Sequence, residues 1–242
     1  MIRTGTVEIA QANRRHLSLA NGTGFWRSDL IASTRGGTQP GPWAPQAFLV
    51  EQDPDSVILP HYHQENEFQV VVEGDGSFGR HAVRPVTVHY AGRHTGYGPI
   101  NSSKQGLWYF SLRALADPGA QFLPEARERM EKGPKRHILA NPAAPAGAAS
   151  LRNLAQARVE TVIEPQPDGV AAWMLRIPPR AALQPPAHPA GAARFYLVIG
   201  GEMELRGEHL SRLAAAFVTG GEDFAPVAGD AGLQLLALQY PC

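Results

Sequence analysis

Leu59-Pro60-His61-Tyr62-His63-Gln64-Glu65-Asn66-Glu67-Phe68-Gln69-Val70-Val71-Val72-Glu73-Gly74 is the stretch on which the reading of this chain turns. His61 and His63 are two apart, and on a strand such residues point to one face. Two imidazoles are then expected to aim at a common point. Glu67 follows four residues after His63, beyond a break suited to a turn. A chain reversal there puts its carboxylate on the next strand, facing the same point. Two imidazoles and a carboxylate suit a divalent first-row metal. His-x-His alone is common among surface and hydrogen-bonded histidines. The weight lies in the full spacing (His-x-His, three residues, Glu, six residues, Gly) and in surroundings that read as strands.

Working outward, short β-branched or aromatic runs bounded by Gly, Pro, Asp or Asn predict strands at 47–50, 57–59, 68–72, 85–90 and 107–112. The texture returns at 159–163, 170–177, 195–199, 203–206, 215–218 and 233–238. Pro124–Lys132 is the segment that reads as a helix. Ala140–Ala149, rich in Ala, Pro and Gly, reads as a linker, and Asn153–Arg158 as a further helical turn or a strand entry. An offset of 127 residues lays one half on the other: Phe68 on Phe195, Gly74 on Gly201, Tyr90 on Phe217 and Pro99 on Pro226. That agreement predicts a duplicated β domain, a sandwich or barrel.

The His61–Gly74 stretch resembles the first conserved motif of the cupin superfamily, with matching spacing throughout. The glycine that opens the family motif falls at Asp55, a departure. The resemblance implies an all-β fold of two tandem cupin (jelly-roll) barrels with a short helical connector. Residues 1–140 would form the barrel with the metal site and 141–242 a degenerate copy, making a bicupin. It also implies a metal inside the first barrel, held by His61, His63, Glu67 and a histidine of a second motif, Pro-x-Gly-x-x-His-x-x-x-Asn. No histidine in 88–100 has that full context. His94 is the expected fourth ligand, His89 its rival and Tyr97 an outside candidate. The alternative is a set of two histidines and one carboxylate completed by water, an arrangement known for non-haem iron. Gln69 shares a strand face with Glu67, so it is expected to line the pocket or orient a ligand. Tyr90, Trp108 and Phe110 are expected in the core or the pocket wall.

The second half serves as an internal control. His61 maps to His188, but His63 maps to Ala190, Glu67 to Arg194, His94 to Gly221 and His89 to Ala216. An arginine where the carboxylate stood opposes a cation. The second barrel is therefore expected to be structural, with anion binding through Arg194 as the lesser reading.

Composition narrows the function classes. The 242 residues carry 22 Lys plus Arg against 22 Asp plus Glu, so no net field favours nucleic acid or an anionic membrane surface. Cys242 is the lone cysteine, so no internal disulfide forms. Without a signal-peptide pattern or an apolar run of about 18 residues, the expected location is cytoplasmic. The expected function is that of a non-haem iron dioxygenase-type oxidoreductase acting on a small organic molecule, with Fe(II) favoured and Mn, Ni or Zn as alternatives. The alternatives are a metal-dependent isomerase or lyase, and a metal- or ligand-binding barrel without turnover. The resemblance adds a homodimer as an expectation.

Overall fold

The short apolar runs fold as strands because alternate residues supply one buried face, and antiparallel neighbours satisfy the backbone between them. The computed structural model describes residues 1–33, 42–142 and 144–242, and every strand pairing among them is antiparallel. The chain divides into two compact units: Gln11–Asn141, and Met1–Ala10 together with Pro142–Cys242. The first ten residues thus pack with the second unit. Their strand β1 (Ile2–Gly5) pairs with a strand of that unit, Ile2 opposite Val218.

The Gln11–Asn141 unit contains β2 (Arg15–Ser18), β3 (Gly24–Ile31), β4 (Gln46–Gln52), β5 (Val57–Ile58), β6 (His61–Tyr62), β7 (Glu67–Phe78), β8 (His81–Val83), β9 (Val88–Ala91), β10 (Ile100–Arg113), β11 (Gln121–Phe122) and β12 (His137–Ala140). The main sheet runs β12-β9-β7-β10-β4-β3-β2, with β5 on β10 and β8 on β7, while β6 pairs with β11. Period-two alternation sets one wall of this sheet. Register places Ser111 of β10 opposite Gln69 of β7 and Phe48 of β4. One step along, Tyr109 faces Val71 and Val50. Phe48, Val50, Val71, Tyr97 and Tyr109 belong to one buried apolar cluster.

The second unit contains a short helix (Ala148–Arg152), then β13 (Arg158–Ile163), β14 (Ala171–Ile177), β15 (Ala193–Leu205), β16 (Glu208–Leu210), β17 (Ala215–Thr219) and β18 (Val227–Gln239). Its sheet runs β1-β17-β15-β18-β14-β13. The repeat extends to cross-strand detail: Phe68 faces Tyr90 and Leu112, as Phe195 faces Phe217 and Leu238. Gly74 and Gly201 take φ of +71° and +74°. A Cβ on either would fall 2.2 Å from the Gly106 carbonyl oxygen or 1.9 Å from that of Gly232. The positive φ and this close approach within strands β7 and β15 therefore fix glycine at both.

Two local expectations change, and one strand appears where none was expected. Pro124–Lys132 forms only a 3-10 turn at Arg127–Arg129, because Ala126 alone of that stretch is buried and a short helix needs a buried face. The runs 195–199 and 203–206 join into one bulged strand, β15. β3 is a full eight-residue strand, although Arg27 and Asp29 interrupt its apolar pattern. Among the described residues, no helix is long and apolar enough to cross a membrane.

Candidate metal centre

β6 and the turn after it present two histidines whose tautomers the backbone and one carboxylate fix. Nδ1 of His61 lies 2.8 Å from the Leu59 carbonyl oxygen, which only accepts, so Nδ1 carries the hydrogen. Nδ1 of His63 lies 2.7 Å from Oδ1 of Asp117 and donates to it. His61 therefore leaves Nε2 as a lone pair, and each ring has Nε2 as the nitrogen free to meet a further partner. The Nε2 of His63 stands 3.7 Å from Oε1 of Glu67, and the two rings meet edge-on with centroids 5.3 Å apart.

Glu67, at the start of β7, is fully buried. Its Oε2 accepts from Ser111 and Arg113, each at 2.7 Å, and its Oε1 accepts from the Tyr97 hydroxyl. Burial alone would raise its pKa, but the Arg113 charge, His63 and those hydrogen bonds hold it well below the usual carboxylate range. The Tyr97 hydroxyl also lies 3.0 Å from His61 Nε2 and receives a hydrogen bond from Gln69 Nε2 at 3.2 Å. Burial and Glu67 push its pKa well up, so the phenol keeps its proton. Burial, with His63 nearby, lowers His61 to about 4, which keeps it neutral at pH 7.

These bonds provide the test of whether a cation fits. Of the three acceptors, Nε2 of His61 and Oε1 of Glu67 flank the Tyr97 hydroxyl, and Nε2 of His63 stands on the other side of Oε1 at 3.7 Å. Neutral imidazoles with one carboxylate oxygen are a donor set for a divalent first-row metal. The His63–Asp117 bond is the kind that orients a metal-bound histidine. Tyr97 stands between His61 and Glu67, so the three acceptors do not all lie within 4.8 Å of one another. The residues fit the group, in competition with that hydroxyl.

His94, the expected fourth ligand, is not brought to these three. Its φ is +52° and its backbone N–H donates to the His63 carbonyl at 2.7 Å. The ring packs on Tyr62, and both its nitrogens meet Glu131: Nδ1 accepts the backbone N–H at 3.2 Å, and Nε2 lies 3.3 Å from the carboxylate. His89 is nearer, with Nδ1 donating to Gln69 Oε1 at 2.9 Å, and burial lowers its pKa to about 4. It thereby orients Gln69, which in turn holds Tyr97. Tyr90, on β9, bonds Asn66 and packs on Phe68, away from the three acceptors.

Sequence reasoning passed over Asp117 and Arg113. Asp117-Pro118-Gly119 is a turn signature, and the same carboxylate also caps the backbone N–H groups of Gln64 and Glu65 at 2.8 and 3.2 Å. Arg113 lies on the inward alternation Tyr109, Ser111, Arg113 of β10. The site opens on a cavity of about 320 Å³ lined by Phe25, Arg27, Phe48, His61, His63 and Arg113, among others. That volume lies in the range of small-molecule pockets.

In the second unit Arg194 is wholly buried. It donates to the carbonyls of Pro186 and Ala187 at 2.9 Å each, to Tyr196 at 3.2 Å and to Gln239. Its terminal nitrogens are spent on the fold. Burial and the Arg194 charge hold nearby His188 at about 4. Glu202, Glu204 and His209, on the β15–β16 hairpin, do bring donor atoms within 4.8 Å of one another, on a largely exposed surface.

The whole chain superposes on solved jelly-roll proteins. A "putative dioxygenase" from Nostoc punctiforme matches 100% of this chain and 79% of its own, with a TM-score of 0.61 at 10% identity. The bacterial pirin of Escherichia coli, in complex with nickel(II), matches 100% of this chain and 99% of its own, at 0.59 and 12%. The fold is that of the cupins. Oxalate decarboxylase from Bacillus subtilis matches 98% of this chain and 75% of its own, at 0.63 and 11%. No protein-family model and no curated protein matches the sequence. Identities this low establish the cupin architecture, and the chemistry must come from the site.

Proposed function

We propose that this chain is a bicupin whose Gln11–Asn141 unit holds one divalent metal ion on His61, His63 and Glu67, and that it is a non-haem iron oxygenase of a small organic molecule. The observation that carries the reading is a pair of histidines whose Nδ1 atoms are occupied by a backbone carbonyl and by Asp117, set beside the buried Glu67 carboxylate and a cavity of about 320 Å³. With His94 turned to Glu131, the set becomes two histidines and one carboxylate, the facial arrangement of non-haem iron enzymes. Iron bound there would supply oxygen binding and activation beside the substrate.

The chain's own residues do the rest. Asp117 holds the His63 ring and keeps its hydrogen on Nδ1. Arg113 and Ser111 fix Glu67 through Oε2, leaving Oε1 toward the histidines. Phe25, Phe48 and Val50 give the cavity an apolar wall that sheds water. The expected absence of a nucleic-acid partner and a cytoplasmic place remain parts of this proposal.

A second reading is a ligand-binding barrel without turnover. It is favoured by the Tyr97 hydroxyl, which already bonds Glu67 and reaches His61. Elemental analysis of purified wild-type and His63→Ala protein separates the two. Near-stoichiometric iron that disappears in the variant supports the oxygenase and directs the next step to oxygen uptake. Zinc, nickel or manganese at one per chain keeps the site and points to isomerase or lyase chemistry. No metal after reconstitution leaves the ligand-binding barrel.

A further inference from the structure

The cavity beside the metal residues has a second polar feature on the opposite strands. Arg27, on β3, lines it together with Phe25 and with Phe48 of β4. Its guanidinium lies 3.6 Å over the Phe48 ring, and that of Arg113 lies 5.3 Å from the same ring. Arg27 and the arginine that holds Glu67 thus both approach the Phe48 ring.

The hydrogen-bond inventory of Arg27 is incomplete. Nε and Nη2 both go to a single oxygen, Oδ1 of Asp29, at 2.9 and 2.8 Å. Among the described residues, Nη1 has no partner, although the side chain is only 28% exposed. Nη1 keeps access to the cavity that Arg27 lines, so its N–H pair is available to an acceptor held there. Charge points the same way. The other oxygen of Asp29 pairs with Arg15 at 2.7 Å. One carboxylate thus serves two guanidiniums, which leaves a net positive charge on this wall, and a divalent cation at the histidines would add to it.

We propose that the ligand of this cavity is a small organic acid whose carboxylate is received by Nη1 of Arg27. Its apolar body lies along Phe25 and Phe48, and its other end is directed at His61 and His63. Arg27 is a specificity-determining residue in this arrangement. The inference names the substrate class of the site proposed above, yet carboxylate recognition by Arg27 does not itself need the metal.

The test uses benzoate and its neutral isostere benzamide as probes, by titration calorimetry at pH 7.5. Both are titrated into metal-stripped and iron-reconstituted protein, with metal content measured on the same samples. Wild-type protein, stripped of metal, is expected to bind benzoate at least tenfold tighter than benzamide. Arg27→Met should abolish that preference, lowering benzoate affinity at least tenfold more than benzamide affinity. Arg27→Lys, which keeps the charge but loses the fork, should retain part of it. Equal affinity for the two probes, binding of neither, or a benzoate preference that survives in Arg27→Met overturns the inference. If Arg27→Met does not fold, an Arg27→Lys protein with undiminished benzoate preference overturns it equally. Protein that holds no metal yet discriminates through Arg27 sinks the oxygenase reading alone. Iron-loaded protein without discrimination sinks this inference alone.

Discussion

The hydroxyl of Tyr97 lies 3.0 Å from Nε2 of His61 and donates to the Glu67 carboxylate that the same metal would use. A cation drawn to those two atoms must displace the hydroxyl, and the raised pKa of the buried phenol makes it a poor anionic ligand. Tyr97→Phe should therefore tighten metal binding several-fold. The metal-free variant should lose about 1–3 kcal/mol of stability, because a buried carboxylate oxygen loses its donor. Competition with a chromogenic chelator measures the first effect and urea unfolding the second. Weaker metal binding in the variant would make Tyr97 a ligand.

Asp117 acts on the site through His63. Asp117→Asn keeps the shape but leaves one acceptor oxygen for the His63 ring and the backbone N–H groups of Gln64 and Glu65 to share, so the ring is held less firmly with its hydrogen on Nδ1. Metal affinity is expected to fall by about 10–100-fold. Unchanged affinity, read by the same chelator competition, would remove Asp117 from the account.

Arg113 is the counter-charge of a fully buried carboxylate. Arg113→Met should cost about 3–5 kcal/mol, the usual penalty for stranding one member of a buried pair. The double variant Arg113→Met, Glu67→Gln should recover a large part of that loss, because no charge is left stranded. Denaturant melts of the single and double variants decide it, and a double variant no better than the single one contradicts the pairing.

Much of this was legible because period two and fixed spacing are local properties. His61 and His63 lie beside Glu67, the Nε2 of His63 3.7 Å from its Oε1, and Asp55, where the family motif has glycine, does take φ of +51°, a conformation Asp tolerates. Other features depend on long-range register. The His94 ring is set by a positive φ and by Glu131, 37 residues on, which no spacing within the motif reports. Asp117 reaches His63 across 54 residues. Arg27 stayed hidden because a charged residue in a strand is ordinarily read as outward-facing, whereas here it lines the cavity. The first ten residues look like the start of the first domain, yet β1 pairs with β17.

Two glycines with positive φ give a controlled comparison. Gly22 has φ of +83° with nothing within 4 Å of an added Cβ, while Gly74 has φ of +71° with the Gly106 carbonyl oxygen at 2.2 Å. Gly22→Ala should cost only the left-handed backbone penalty, about 1–2 kcal/mol. Gly74→Ala adds a collision with backbone that cannot move without breaking the β7–β10 ladder, so its cost should exceed about 4 kcal/mol. Similar melting temperatures for the two variants would refute the close approach.

Acid should weaken the metal-stripped protein before its carboxylates titrate. His61 and His89 are held at about 4 in the folded chain, against 6.5 for an ordinary histidine. Between those values the unfolded chain takes up protons that the native site refuses. Their contribution is therefore fully present above pH 6.5 and is lost as the pH falls toward 4, by up to about 1.4 kcal/mol per pH unit for each ring. Glu67 and Asp117, both lowered, titrate in the opposite sense to a raised group and lose their share only at still lower pH. Urea unfolding from pH 7 to pH 5 should show this decline. His89→Gln removes one of three such histidines, His188 being the third, so its decline should be shallower than that of the wild type. An identical slope in both proteins would mean that His89 is not held neutral by burial beside Gln69.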